Sequence, residues 1–404
     1  MKASILLACA IGVAEALSLG SISDLFESTN GPKRLIKLGP DQFELVTEAD
    51  KLNYRREGKK FIDVTNQVSI DEAMKENMVA TAGKQNFFNY FSKQIDALQA
   101  PIPQYSYPSK THYDKLVADL NKKIDLDLVR SNLANFTSFY TRYYKSETGL
   151  ESANWLFDKV SGIVSGIEAA SVKKIHHDGW DQYSIVVSIP GKTEDKVVVG
   201  AHQDSINLLF PNILSAPGAD DDGSGTVTTL EALRLVVSAI EKGDFTPHNT
   251  LEFHYYSAEE GGLLGSIDVF TRYFDKKEVV LGMLQQDMTG FSQGMTDAGV
   301  EHHFGLISDY TTPGLNEFLK LIVGAYCSIP VHETECGYAC SDHASALEKG
   351  YPASFFIESE FKYTSKFIHL VMDTMDRLDF QLIEEHVKLT VGYAIELAGA
   401  KKLY

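Results

Sequence analysis

The chain has 404 residues, 44% of them hydrophobic and 23% charged, which is enough apolar material for one large domain or two smaller ones. Lys and Arg number 37 against 55 Asp and Glu, a formal charge of -18 that repels nucleic acid and anionic membrane and attracts cations. Residues 1–100 are almost neutral, with 12 Lys/Arg and 13 Asp/Glu, so nearly all the acidity lies beyond position 100.

The chain opens with "MKASILLACAIGVAEALSLG". Lys2 is a minimal basic start, Ala3 to Ala14 is apolar, and Ala14-Glu15-Ala16 fits a small-x-small cleavage site. The run is shorter than the roughly 20 residues that span a bilayer. It predicts a secretory signal over 1–16, with Ser18 as an alternative cut, and no other run reaches spanning length. Cys9 leaves with the signal. Cys327, Cys336 and Cys340 remain, compatible with one pair and one buried thiol in an oxidising compartment. Asn135-Phe136-Thr137 is a glycosylation sequon, which fits secretion.

From 17 to 97 the sequence is polar and mixed and carries no chemical motif. Its last stretch, "IDEAMKENMVATAGKQNFFNYFSKQIDALQ", has helical character. Three prolines in "APIPQYSYPSK" then mark a boundary. The residues leave two readings of 17–97, a pro-segment or a small accessory domain.

Beyond 110, strands and helices alternate. "LVRSNLANFTSFYTRYY" reads as a helix, "YSIVVSIP" and "KVVVGAH" as strands. Val227, Leu230, Leu233, Val237 and Ile240 recur at helical spacing. "TLEFHYYS" and "VVLGMLQQDM" are strands, "PGLNEFLKLIVGAY" a helix, "ASFFIES" a strand, and 378–400 a closing helix. This order predicts an α/β fold, a single domain over 98–404 with a central mixed, mostly parallel sheet flanked by helices.

Ligand sites in open α/β sheets lie beyond the carboxyl ends of the strands. Polar residues collect there. "VVVGAHQD" ends in His202 and Asp204, "FHYYSAEEGG" carries Glu259 and Glu260, and "GMLQQDMTG" carries Asp287. His369 lies in "SKFIHLVMDT", and "APGADDDGSG" sets Asp220, Asp221 and Asp222 side by side. Adjacent carboxylates repel unless water or a cation offsets the charge. Two His and three carboxylates are a donor set for a zinc pair. A carboxylate of the acidic turn could bridge two ions, and a further carboxylate outside the ligand set would be needed to move the proton of an attacking water. Asp204 could accept a hydrogen bond from the His202 ring.

These motifs, with "SAEEGGLLGS", "CGYACSDHASA" and "GYPASFFIES", occur in order over roughly the last three quarters of the chain. In them the chain resembles secreted fungal leucine aminopeptidases of the co-catalytic di-zinc family. The resemblance implies that His202 and Asp287 share one zinc ion, Glu260 and His369 the other, and that Asp221 bridges both. It implies Glu259 as general base acting on a bridging hydroxide, with Asp204 beside His202. It also implies a Cys336–Cys340 disulfide shaping the pocket wall, a free Cys327, a cis peptide at Asp221–Asp222, and Tyr338 as hydrogen-bond donor to the reacting carbonyl. Met288, Phe355, Phe361 and Ile368 are candidates for an apolar pocket favouring Leu-like first residues. The layout favours a pro-segment over 17–97 that assists folding or keeps the enzyme latent.

The expected partners are peptides with a free N-terminus, with no nucleic acid and no membrane, and the expected state is a secreted monomer. "HLVMDT" departs from the family's more polar stretch after the late His. A glutaminyl cyclase, a carboxypeptidase or acylase, and an inactive ectodomain are the rival readings. Full retention of the ligands and base argues against the first and last, and the lack of an evident clamp for a terminal carboxylate argues against the second.

Overall fold

The computed structural model describes residues 32–68, 99–401 and 403. The predicted signal over 1–16 and the predicted helix over 70–99, apart from Gln99, lie outside the described residues.

Eight strands form the central sheet: β4 (Ser171–Ile175), β5 (Ser184–Ile189), β6 (Thr193–His202), β7 (Asn249–Tyr256), β8 (Val280–Gln286), β9 (Phe304–Ile307), β10 (Val331–Thr334) and β11 (Ala353–Ile357). Their order is β10-β9-β11-β8-β6-β7-β5-β4. The central strands β7, β6, β8 and β11 run parallel, while β5, β4 and β9 pair antiparallel to their inner neighbours. The sheet is the expected mixed, mostly parallel one.

Burial on both faces explains the unbroken apolar runs of β7, β8 and β11. Along β6, Val197, Val199 and Ala201 point to one face and Val198 to the other. The first face is covered by α2 (Asp114–Asn121), α3 (Leu126–Phe136), α4 (Glu147–Val164), α5 (Gly225–Glu241), α8 (Pro313–Tyr326) and α10 (Phe380–Gly399). The second is covered by α6 (Leu264–Asp275) and α9 (His343–Glu348); the short α7 (Gln293–Ala298) lies between β8 and β9 in the chain. Leu233 on α5 is fully buried, and cutting such a side chain to Ala costs about 2–5 kcal/mol.

Two helices show how local chemistry sets their limits. α8 begins with Pro313, whose missing N–H costs nothing in a first turn. α3 begins earlier and stops sooner than its sequence suggests. Asp125 accepts the Leu128 N–H as its cap, and the helix ends at Phe136, with the Thr137 hydroxyl bonded to the Leu133 carbonyl. The remainder of "LVRSNLANFTSFYTRYY" leaves the helix because Thr141 bridges to Ala216 and Arg142 turns into the interior.

A second sheet, ordered β2-β1-β3, lies before the boundary: β1 (Arg34–Gly39), β2 (Gln42–Val46) and β3 (Ile62–Asp63), with α1 (Glu48–Arg56) between β2 and β3. Thr47 and Asp50 form a reciprocal capping box that starts α1. Leu35, Phe43, Ile62 and Val64 pack on Leu263, Ile267, Ala339 and Ala344 of the main body. No helix of the described residues is long and apolar enough to cross a membrane.

Candidate metal centre

The parallel strands β6, β7, β8 and β11 share one carboxyl edge. His202 is the last residue of β6, Asp287 follows β8, Glu259 and Glu260 follow β7, and His369 lies in the loop beyond β11. Asp221 sits in the turn leading into α5. His202 Nε2 is 3.0 Å from Asp221 Oδ1 and 3.6 Å from Asp287 Oδ1. His369 Nε2 is 2.9 Å from Asp221 Oδ2 and 3.3 Å from Glu260 Oε1. Donor atoms thus gather in two groups, His202–Asp221–Asp287 and Asp221–Glu260–His369, and Asp221 belongs to both with a different oxygen in each.

The acidic turn is held from several sides. Arg142 donates to the carbonyls of Gln203, Pro217 and Gly218. Asp373 accepts the N–H groups of Asp220 and Asp221. Asp222 accepts those of His202, Gly225 and Met288, tying the turn to the ends of β6 and β8. The peptide between Asp221 and Asp222 is cis. Asp204 accepts the N–H groups of Glu259 at 3.0 Å and Glu260 at 3.2 Å, while His202 Nδ1 lies 3.5 Å away. It therefore orders the Glu-Glu pair as well as facing the His202 ring. Ser341 donates to Asp287 Oδ2 at 2.6 Å.

Electrostatics favours cations here. Burial opposes charge on Asp221, yet the His202 and His369 rings overcome it and hold Asp221 well below the usual carboxylate range. Burial likewise opposes a charged His369, but Glu260 and Asp221 push it up to about 10. Burial raises Glu260 and Asp287 above their ordinary values. Both ring nitrogens of His202, both oxygens of Glu260 and Asp287 Oδ1 are buried without a hydrogen-bond partner. Close approach without hydrogen bonds is the mark of donors set around an ion, so the residues present fit a metal pair.

The sequence pattern of peptidase family M28 matches residues 184–394. A probable aminopeptidase of Saccharomyces cerevisiae is 48% identical over 372 residues, covering 91% of this chain and 93% of its own. The chain belongs to peptidase family M28. This is a family of co-catalytic zinc peptidases. Leucine aminopeptidase 1 of Blastomyces gilchristii is 46% identical over 384 residues, 94% of this chain and 93% of that one. Among solved structures, the LapA aminopeptidase of Legionella pneumophila is 27% identical with a TM-score of 0.73, covering 91% of this chain and 98% of that one. LapB of the same organism is 26% identical with a TM-score of 0.74, covering 91% and 100%.

In this M28 chain a pocket beside the two donor groups is lined by Met288, Cys340, Phe355, Ile357, Phe361 and Ile368, together with Glu259, Asp287 and His369. The four apolar residues singled out in the sequence meet there. Cys336 and Cys340 form a disulfide, and Cys340 lines the pocket; Cys327 is free. Tyr338 is placed differently from the apolar four. Its hydroxyl donates to Glu348 at 2.8 Å, and its ring meets Tyr310. Asn135 is exposed in the last turn of α3, where its amide donates to the Ser131 carbonyl.

His303, His332 and Glu360 form a third group of donors. The two rings stack at 3.9 Å and 18°, which puts their lone pairs in separate, near-parallel planes, and Lys362 already pairs with Glu360 at 2.9 Å. That group is not arranged as a metal centre.

Sequence reasoning named Asp222 only as a member of the acidic turn and of its cis peptide, without its support of the turn, and it missed the supports Arg142, Ser341 and Asp373, which no residue pattern marks. It also missed Arg55, at the end of α1, whose guanidinium lies 3.1 Å from Glu259 Oε2 and 3.4 Å from Glu260 Oε2.

Proposed function

We propose that the chain is a leucine-type aminopeptidase that removes the first residue of peptides with a free N-terminus. The observation that carries this is the sharing of Asp221 between two donor groups with Glu259 beside them. The names of the relatives support the aminopeptidase reading. His202, Asp221 and Asp287 would hold one zinc ion, and Asp221, Glu260 and His369 the other. When bound, the pair would polarise the first peptide carbonyl and make water acidic enough to attack near neutral pH.

Glu259 takes the proton of that water and delivers it to the leaving amine. Asp204 fixes the loop from which Glu259 acts. The pocket of Met288, Phe355, Phe361 and Ile368 receives an apolar first side chain, and Tyr338 donates to the carbonyl oxygen once free of Glu348. Residues 1–16 are a signal, 17–97 a pro-segment and 98–404 the catalytic domain of a secreted monomer glycosylated at Asn135.

The test is metal content and Leu-p-nitroanilide hydrolysis for wild type and Glu259→Gln. Both should hold two zinc ions, with turnover lower by about 10²–10⁴-fold in the variant. Equal turnover would remove Glu259 from the mechanism. Absence of turnover in a zinc-loaded wild type freed of 17–97 would remove the peptidase assignment.

A further inference from the structure

The described residues expose eight large hydrophobic side chains, and most of them stand together. Leu209, Phe210 and Ile213 lie on the loop after β6 and Val371 and Met372 on the loop after His369, each 42–54% exposed. A sixth, Tyr140, donates its hydroxyl to the Ile213 carbonyl at 2.7 Å. Single exposed hydrophobic residues are ordinary, but a group of them marks a surface that something apolar covers.

Both loops are tied to the candidate centre through their main chain. The Leu208 N–H donates to the His369 carbonyl at 3.2 Å, which joins one loop to the other at a proposed ligand. Asn207 is buried; it accepts the Leu209 N–H at 3.1 Å and donates to the Ser215 carbonyl at 3.0 Å, closing the first loop at its base. The second loop runs from His369 to Asp373, whose carboxylate accepts the Asp220 and Asp221 N–H groups. Arg377 donates to the Met372 carbonyl at 2.8 Å. The exposed side chains therefore stand on fixed main chain, which keeps the ordering cost of a contact low.

Asp287 and Met288 line the pocket for the first side chain. Glu260 and Gly261 line a separate cavity of about 300 Å³, walled on the body side by Tyr143, Ile206, Leu209, Phe210 and Ile213 and on the other by Leu52 and Arg56 of α1. A peptide with its first carbonyl between the two donor groups and its first side chain beside Met288 sends its second residue toward Glu260 and His369, where the two loops meet.

We infer that this apolar lip is the subsite for the second residue of the substrate, so that the enzyme selects a large apolar side chain on both sides of the bond it cuts. The inference rests on the peptidase reading above and adds a second substrate position to it. Leu209, Phe210, Val371 and Met372 shed water against an apolar second side chain, and a small polar one leaves them wet.

The experiment compares Leu-Phe-amide with Leu-Ser-amide, which share a first residue and carry no terminal carboxylate. The enzyme is the zinc-loaded chain in whichever form, intact or cut between 68 and 99, turns over Leu-amide. In wild type kcat/KM should favour Leu-Phe-amide by about tenfold. That ratio should fall about threefold or more in Phe210→Ser and in Met372→Gln, while Met372→Leu keeps it. The ratio of Leu-Ser-amide to Ala-Ser-amide reports the first pocket; a general distortion of the site would move both ratios, a lost lip only the former. A wild-type ratio near one, or a ratio untouched by both polar variants, would overturn the lip and leave the peptidase reading intact. An untouched ratio together with self-association that the same variants abolish, read by sedimentation, would give the lip to a second copy of the chain and overturn it likewise. If wild type cuts none of these amides in either form, the peptidase reading falls and the lip with it.

Discussion

Asp204 shows how one carboxylate can govern two others. Its oxygens accept the main-chain N–H groups of Glu259 and Glu260, and it is fully buried. Sequence spacing placed it near His202 but gave no hint of the second task, because main-chain acceptors leave no trace in residue type. Asp204→Asn keeps the shape but presents one NH2 group to a main-chain N–H, so it can serve only one of the two glutamates. The expected outcome is metal affinity lower by about 10–100-fold, measured by competition with a chromogenic chelator. Turnover should remain below wild type even at saturating zinc, since the base is displaced along with the ligand. Restoration of full turnover by added zinc would show that Asp204 acts on the ligand alone.

Elements explain which parts of the site were readable. The proposed ligands sit where continuous apolar strands stop, and an eye trained on β6, β7 and β8 finds His202, Glu260 and Asp287 at their ends. The start of α5 was equally plain, with Val227, Leu230 and Leu233 at helical spacing. What the sequence hid is the close approach at that start. A Cβ on Gly225 would lie 2.2 Å from Asp222 Oδ1 and 2.3 Å from the Gln286 carbonyl. Gly225→Ala should therefore push Asp222 off the His202 and Met288 N–H groups, lowering both Tm and metal content. An unchanged metal stoichiometry would mean that Asp222 does not set the turn.

The short strands β4, β9 and β10 escaped notice for the opposite reason: β4 and β10 lie at the sheet edges with no fully buried residue, and the four residues of β9, though buried, are too few to show a period. The N-terminal sheet escaped because its partners are charges rather than a motif. Asp63 is its pivot, bonded to Lys51 at 2.7 Å and Arg34 at 2.9 Å. Burial works against its ionisation, but Lys51 and Arg34 prevail and hold it below the usual carboxylate value. A depressed carboxylate stabilises above its unfolded pKa and loses that contribution as pH falls through the folded one. Hydrogen exchange in 34–63 should therefore accelerate on acidification below about pH 4, and in Asp63→Asn should already be fast at neutral pH.

For the whole molecule, the question is what the acidity is for. The formal charge of -18 falls almost entirely beyond residue 100, and much of it converges on one buried region. Asp220, Asp221, Asp222, Glu259, Glu260, Asp287, Asp342, Glu358 and Asp373 are all buried there. Burial raises Asp220 to about 6 and Asp373 to about 8, and holds Asp342 and Glu358 well above their ordinary values. Arg142, itself pulled down to about 10 by burial, and Arg55 are too few to balance nine acids. Two dications would add four positive charges, enough to offset the three carboxylates of the donor groups, Asp221, Glu260 and Asp287, and because they bind only the folded chain they add stability by mass action, about 2.7 kcal/mol at a hundredfold excess over Kd. Chelation should accordingly lower Tm and speed proteolysis of the turn at 216–225, and added zinc should reverse both, in Glu259→Gln as in wild type. A chelated chain that melts where the loaded chain does would mean that protons alone satisfy these acids, and that the charge excess serves solubility rather than ion binding.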